Sequence, residues 1–216
     1  MRAFKNLPLP PLPLSAEEPR SYAVALREHL SLFDTLDSLQ ADVQNAAAMV
    51  VRTLSSGGKL MLCGNGGSAA DSQHIAAELT GRFVQDRRPL AAIALTTDSS
   101  ALTCIGNDYD FSEVFSRQVI GLGRPGDCLL AISTSGTSAN VVKAVEAAQR
   151  LQISTVALSG RDGGRLRSLC DAAIVVPSAT TARIQEAHIF VGHALCALIE
   201  EGLYKNGQLS TTAPLH

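Results

Sequence analysis

Apolar residues in the first quarter of the chain recur at helical spacing: Val24, Leu26, Leu30, Leu32, Phe33, Leu36, Leu39, Val43, Ala46, Met49, Val50 and Leu54. They predict one or two helices over residues 22–54, with a break near Asp37-Ser38 and a stop at Gly57-Gly58. The pattern then changes. Five short runs, Lys59–Cys63, Leu90–Leu95, Cys128–Ile132, Thr155–Leu158 and Ala172–Val176, are apolar at successive positions and alternate with helical segments. Strands apolar on both faces belong in a parallel sheet covered on both sides, so the pattern predicts an α/β fold. We expect a doubly wound five-stranded parallel sheet flanked by helices behind an N-terminal helical prefix. A last long helix is expected from about Thr181 to Tyr204, with Ala187, Phe190, Val191, Ala194, Leu195, Leu198 and Ile199 as its buried stripe.

The ends of the pattern differ from its middle. Leucines before residue 22 are interrupted by prolines every two or three positions, which suits neither a signal sequence nor a membrane span and reads as an extended arm over 1–21. One domain should then occupy 22–204, with a polar, Pro-containing tail over 205–216.

Composition narrows the class. With 216 residues, 46% of them hydrophobic, and a formal net charge of −2, the chain suits one globular α/β domain and offers no basic surface for nucleic acid. No apolar run is long enough to cross a membrane. The five cysteines, Cys63, Cys104, Cys128, Cys170 and Cys196, contain no C-x-x-C pair, so a zinc finger is excluded and reduced thiols of a cytoplasmic protein are expected.

Two places carry candidate chemistry. In LMLCGNGGSAADSQHIAAE, Leu60 to Glu78, an apolar strand enters the turn Asn65, Gly66, Gly67, Ser68 and then a helix. Glycines there let backbone N–H groups approach an anion at a helix N-terminus. The turn matches neither the dinucleotide fingerprint nor the Walker pattern, so no nucleotide is implied. His74 and Glu78, four positions apart, share a helical face. The second place repeats the plan: DCLLAIS opens into a turn bearing Ser133, Thr134, Ser135, Thr137 and Ser138. Capping a helix needs one hydroxyl. Five in six positions suit a sugar phosphate held by neutral hydrogen bonds. Gln185 and His193, two turns apart on the last helix, can reach one neighbouring site, whereas His188 falls at a different angle and reads as structural. Asn107 and Asp108 end the segment LTCIGND, where capping a following turn explains them.

Taken together, CGNGGS at Cys63–Ser68, H-x-x-x-E-L-T-G-R at His74–Arg82, IGND at Ile105–Asp108, ISTSGTSANV at Ile132–Val141 and RIQE-x-H-I at Arg183–Ile189 resemble the sugar isomerase (SIS) domain family, and within it the sedoheptulose 7-phosphate isomerases. The likeness spans Tyr22 to Tyr204. It implies a doubly wound fold, a homotetramer with active sites between subunits, and conversion of sedoheptulose 7-phosphate to D-glycero-D-manno-heptose 7-phosphate through an enediol. That step begins the supply of nucleotide-activated heptose for lipopolysaccharide and other surface glycans. By position, the resemblance implies Glu78 and His193 as acid/base residues, and Ser68, Ser133, Thr134, Ser135 and Ser138 around the phosphate. It further implies Asn65, Gly66, Gly67, Asn107, Asp108 and Gln185 at the sugar or its phosphate, and one zinc ion per subunit on His74, Glu78, Gln185 and His193. Ala182 departs from members that carry an acidic residue there. The rival is a noncatalytic member of the same family that binds the bacterial replication initiator. Such relatives lack the counterparts of Glu78 and His193, and both are present here.

Overall fold

The computed structural model describes residues 21–209, so the arm read over 1–21 lies outside the described residues except for Ser21, as does the tail from 210 onward. The helical prefix breaks where the sequence predicts. Helix α1, Tyr22–Phe33, is capped by the Ser21 hydroxyl, which accepts from the Val24 amide; a 3₁₀ turn, Leu36–Leu39, then redirects the chain into α2, Gln40–Ser55. Strand β1 is Leu60–Gly64, followed by α3, Gly67–Thr80; β2 is Ala92–Ala94, followed by α4, Ser99–Asp108, and α5, Ser116–Leu122. The remainder alternates regularly: β3 Cys128–Ser133, α6 Ala139–Arg150, β4 Ser154–Gly160, α7 Gly164–Leu169, β5 Ala172–Val176 and α8 Thr181–Lys205.

The five strands are all parallel, in the order β2-β1-β3-β4-β5. Side chains alternate across the sheet with period two. Leu60, Leu62, Leu130, Ile132, Val156, Leu158 and Ile174 face α2, α3 and α8; Met61, Cys63, Leu129, Ala131 and Ala157 face α5, α6 and α7. Burial of both faces makes the central strands β1 and β3 read as nearly continuous apolar runs.

Two expectations need correction. Strand β2 is three residues long rather than six, because the Leu90 amide donates to the Leu79 carbonyl at the end of α3 instead of joining the ladder. As an edge strand it leaves Ile93 exposed. On α8, Phe190 is half exposed rather than buried, and its ring packs edge-on against Phe33 of α1. Beyond α8 the Gln208 and Leu209 amides donate to the Leu203 carbonyl, and Leu209 is buried against the core. The cysteines are all free, with Cys63, Cys128 and Cys196 buried and Cys104 exposed.

Candidate active site

Chain direction reverses between β1 and β3. From β1 the connection runs outward to β2, and from there it crosses back over β1 to β3. Loops leaving the carboxyl ends of the two strands therefore diverge around an opening at the topological switch point, where ligands of such sheets bind. Both turns singled out in the sequence leave the sheet there.

The turn after β1 is built to expose backbone. Gly66 sits at φ +56°, a conformation that side chains disfavour, and delivers the chain into α3 with Gly66 and Gly67 exposed. Ser68 is buried beneath them. Asn65 is tied across the opening to Asn140 on α6 by two reciprocal amide bonds, each 2.8 Å, and the Asn140 oxygen also accepts from the Val141 amide. The two turns are thus one hydrogen-bonded unit.

The turn after β3 gathers its hydroxyls. Ser133 Oγ lies 3.0 Å from Ser138 Oγ and 3.4 Å from Ser135 Oγ, while Thr137 donates both its amide and its hydroxyl to Ser135. Ser138 is the residue before α6, yet its side chain makes no capping bond. Capping therefore does not account for its hydroxyl. Gly136 shapes this loop: at φ +66°, a Cβ there would stand 1.9 Å from the Gly163 carbonyl oxygen, so the loop lies directly on the segment entering α7. Thr134 is half-buried on the same turn.

On α3, His74 and Glu78 face α8. His74 Nε2 is 3.4 Å from Glu78 Oε1 and 2.8 Å from His193 Nε2, and the three ligand atoms lie within 4.8 Å of one another. The two Nε2 atoms are within hydrogen-bond distance, with the donor set by the tautomers of the rings. The helices run alongside each other in parallel. Ile75 meets Gly192, and earlier on α3 the position of a Gly67 Cβ would be 2.4 Å from Gln185 Nε2. Gln185 consequently lies over the first residue of α3, seven residues before His74, about 10 Å along the axis. Asn107 and Asp108 close α4 as exposed residues bonded to each other; Cys104 donates to Asp108. They belong to a helix, not to the end of an apolar run.

Residues unremarked in the sequence also matter here. Asp71, one turn before His74, has a buried Oδ2 without a partner; desolvation pushes its carboxyl up to about 6, with His74 opposing. Tertiary packing buries that oxygen, so no local motif announces it. Asn140 joins the turns. Arg87 and Glu200 bind the ends of α3 and α8 together. His188, read as structural, is fully buried, donates to the Ser159 carbonyl at 3.1 Å, and is pushed down to about 4 by burial.

A profile of the SIS domain matches residues 22–160. The chain is 56% identical over 177 residues to a phosphoheptose isomerase of a Nitratiruptor species, covering 82% of this chain and 95% of that one. It is 55% identical to that of Rhodospirillum rubrum, covering 74% and 86%. Among solved structures, phosphoheptose isomerase GmhA from Neisseria gonorrhoeae superposes with a TM-score of 0.79 at 48% identity, covering 83% of this chain and 96% of that one.

Proposed function

The chain belongs to the SIS domain family and, within it, to the phosphoheptose isomerases, and from that membership we propose how its residues isomerise sedoheptulose 7-phosphate to D-glycero-D-manno-heptose 7-phosphate. The reaction moves a proton between adjacent carbons through an enediol. It needs a base beside the carbon, a proton carrier at the oxygens, and a grip on the distant phosphate. Glu78 is the base and His193 moves protons at the oxygens. Ser68, Ser133, Thr134, Ser135 and Ser138 hold the phosphate, with Asn65, Gly66 and Gly67 beside it. Gln185 orients the sugar between the two ends.

The observation supporting this reading is the meeting of His74, Glu78 and His193, which come from helices 119 residues apart in the case of the two histidines. The same donor set fits a zinc ion: two imidazole nitrogens and a carboxylate converge, while Gln185, the fourth ligand that the resemblance implies, lies over Gly67 and would have to reach toward them to complete the set. When bound, zinc would stabilise negative charge developing on the sugar's carbonyl oxygen.

The reading extends to a homotetramer in the cytoplasm. Tyr22, Leu26 and Leu30 form an exposed apolar stripe at i, i+4, i+8 on α1, with Phe190 exposed on α8. Burying such a stripe between copies is its simplest use. Asn107 and Asp108, exposed on α4, would then serve a neighbouring copy's site. No helix among the described residues is long and apolar enough to cross a membrane.

Incubating the purified protein with sedoheptulose 7-phosphate, with and without zinc, tests the reading. A product identified as the manno-heptose 7-phosphate is expected. Absence of that product under both conditions would overturn it.

A further inference from the structure

One ion pair buried on both sides lies beyond the residues of the candidate site. Arg87, whose side chain is wholly buried, donates through Nε to Glu200 Oε1 at 2.7 Å. Its other nitrogens turn to backbone: NH2 donates to the Glu78 carbonyl at 2.9 Å, and NH1 to the carbonyls of Leu79, Gly81 and Arg88 at 2.9, 3.1 and 3.2 Å. Glu78, Leu79 and Gly81 close α3, where carbonyls lack intrahelical partners and a cation complements the helix dipole. Glu200 lies on α8, seven residues after His193, and its Oε1 also accepts from the Phe83 amide at 3.2 Å. The ring of that same Phe83 packs 5.6 Å from the His193 ring.

One guanidinium therefore grips the backbone of Glu78, and its partner carboxylate fixes both α8 and the aromatic surface against which His193 rests. A buried ion pair is a poor source of stability, because desolvating two charges offsets most of their attraction. We propose that Arg87 and Glu200 are positioning residues that set the spacing of Glu78 and His74 on α3 from His193 on α8. The planar fork matters as much as the charge. A lysine could reach Glu200 but could not serve the carbonyls at the helix end together.

The inference about turnover rests on the assigned isomerase reaction, whereas its structural part does not, and the test separates them. Arg87→Lys, Arg87→Met and Glu200→Gln are compared with Asp127→Asn. Asp127 is a buried carboxylate paired with Lys59 at 2.5 Å, just ahead of β1 and β3, at the end of the sheet opposite the site. Thermal melting gives the folded fraction. Steady-state kinetics on sedoheptulose 7-phosphate give kcat and KM. Ring ¹⁵N NMR of the metal-free protein reads the contact between the His74 and His193 ring nitrogens.

We expect Arg87→Lys to lower kcat about tenfold or more at temperatures where it is folded, since small misplacements of reacting groups are costly. KM should change by less than about twofold, because the phosphate loop that supplies affinity is untouched. The signature of that ring–ring contact should be lost. Arg87→Met should do the same more strongly, and if it does not fold, Arg87→Lys decides. Asp127→Asn should lower the melting temperature and leave both kcat and the histidine signature intact. An unchanged signature in Arg87→Lys and Glu200→Gln, or a loss of kcat matched by Asp127→Asn, would overturn the proposal. Should the wild type fail to turn over the sugar, the reaction assignment falls, and the histidine signature alone still decides the positioning role.

Discussion

The turns after β1 and β3 leave neighbouring strands at the same level and enter helices by the same route, yet they are made of different materials. The first is glycine and amide, with titratable groups further along α3 at Asp71, His74 and Glu78. The second concentrates hydroxyls within the turn itself and carries no charge from Ser133 to Ser138. In the proposed mechanism a neutral hydroxyl cluster would grip the phosphate without perturbing acid/base groups nearby, while the α3 and α8 groups would carry the proton chemistry. The carboxyl end of the sheet would thereby separate binding from reaction. Substitutions in the two regions should therefore move different kinetic constants.

The largest effect should come from the reactive end. Glu78→Gln preserves volume and removes the basic carboxylate, and loss of a general base costs about 10²–10⁴ in rate. Steady-state assay with sedoheptulose 7-phosphate should show that loss in kcat, with KM little changed and the circular dichroism spectrum intact. Turnover within a few-fold of wild type would remove Glu78 from the mechanism.

At the other end, Ser135→Ala removes a hydroxyl that accepts from Thr137 and lies beside Ser133. A hydrogen bond to a charged group is worth roughly 1.5–3 kcal/mol, so KM should rise roughly 10- to 150-fold with a smaller change in kcat. If kcat fell and KM did not, the division between the two turns would be wrong. Competition by inorganic phosphate gives a second measure, and it should weaken in parallel.

Asn140 joins the two regions, so its removal should blur the distinction between them. Asn140→Ala leaves the Asn65 amide and the Val141 N–H without their partner at a buried position. The cost should be roughly 1–3 kcal/mol in chemical denaturation. Both kcat and KM should shift by a few-fold, unlike either variant above. A change in only one constant would show the turns to be independent.

Much of this division is visible in the sequence because it rests on short-range signals. The apolar runs mark β1, β3, β4 and β5 to within two residues, since burial keeps their centres apolar and confines most polar residues, such as Ser133, Ser154 and Ser159, to the strand ends. The prefix break is legible because Asp37-Ser38 interrupts a helical repeat. What stays hidden is long-range. Arg87 and Glu200 are ordinary surface residues by type, and only the fold, bringing positions 113 apart together, turns them into a buried pair. Asn65 and Asn140 are 75 residues apart. Helix α4 is hidden for another reason: none of its residues is fully buried, and only the short pair Leu102 and Ile105 packs against the core. Phe190 shows the converse, an apolar residue at stripe spacing left half exposed.

The smallest effect on the two ends should come from acid, which acts through His188 behind them. Its ring is fully buried and held neutral by desolvation, with a value near 4 against 6.5 for an exposed imidazole. A depressed value gives stability that is present above pH 6.5 and declines as the pH falls toward 4, because the unfolded chain takes up the proton first. The loss from this group is at most about 3 kcal/mol. Asp71 works in the opposite sense: with its carboxyl raised to about 6, the folded protein takes up that proton first, and stability rises as the pH falls below 6. Partial exposure and screening reduce its share. Wild-type stability, followed by urea unfolding, should thus fall most steeply between pH 6.5 and 6 and more gently below. Asp71→Asn removes the opposing group, so its stability should decline more steeply than wild type from pH 6 to 4 while remaining similar in slope above pH 7. Parallel curves for the two proteins across that acid range would show that Asp71 is not the opposing group.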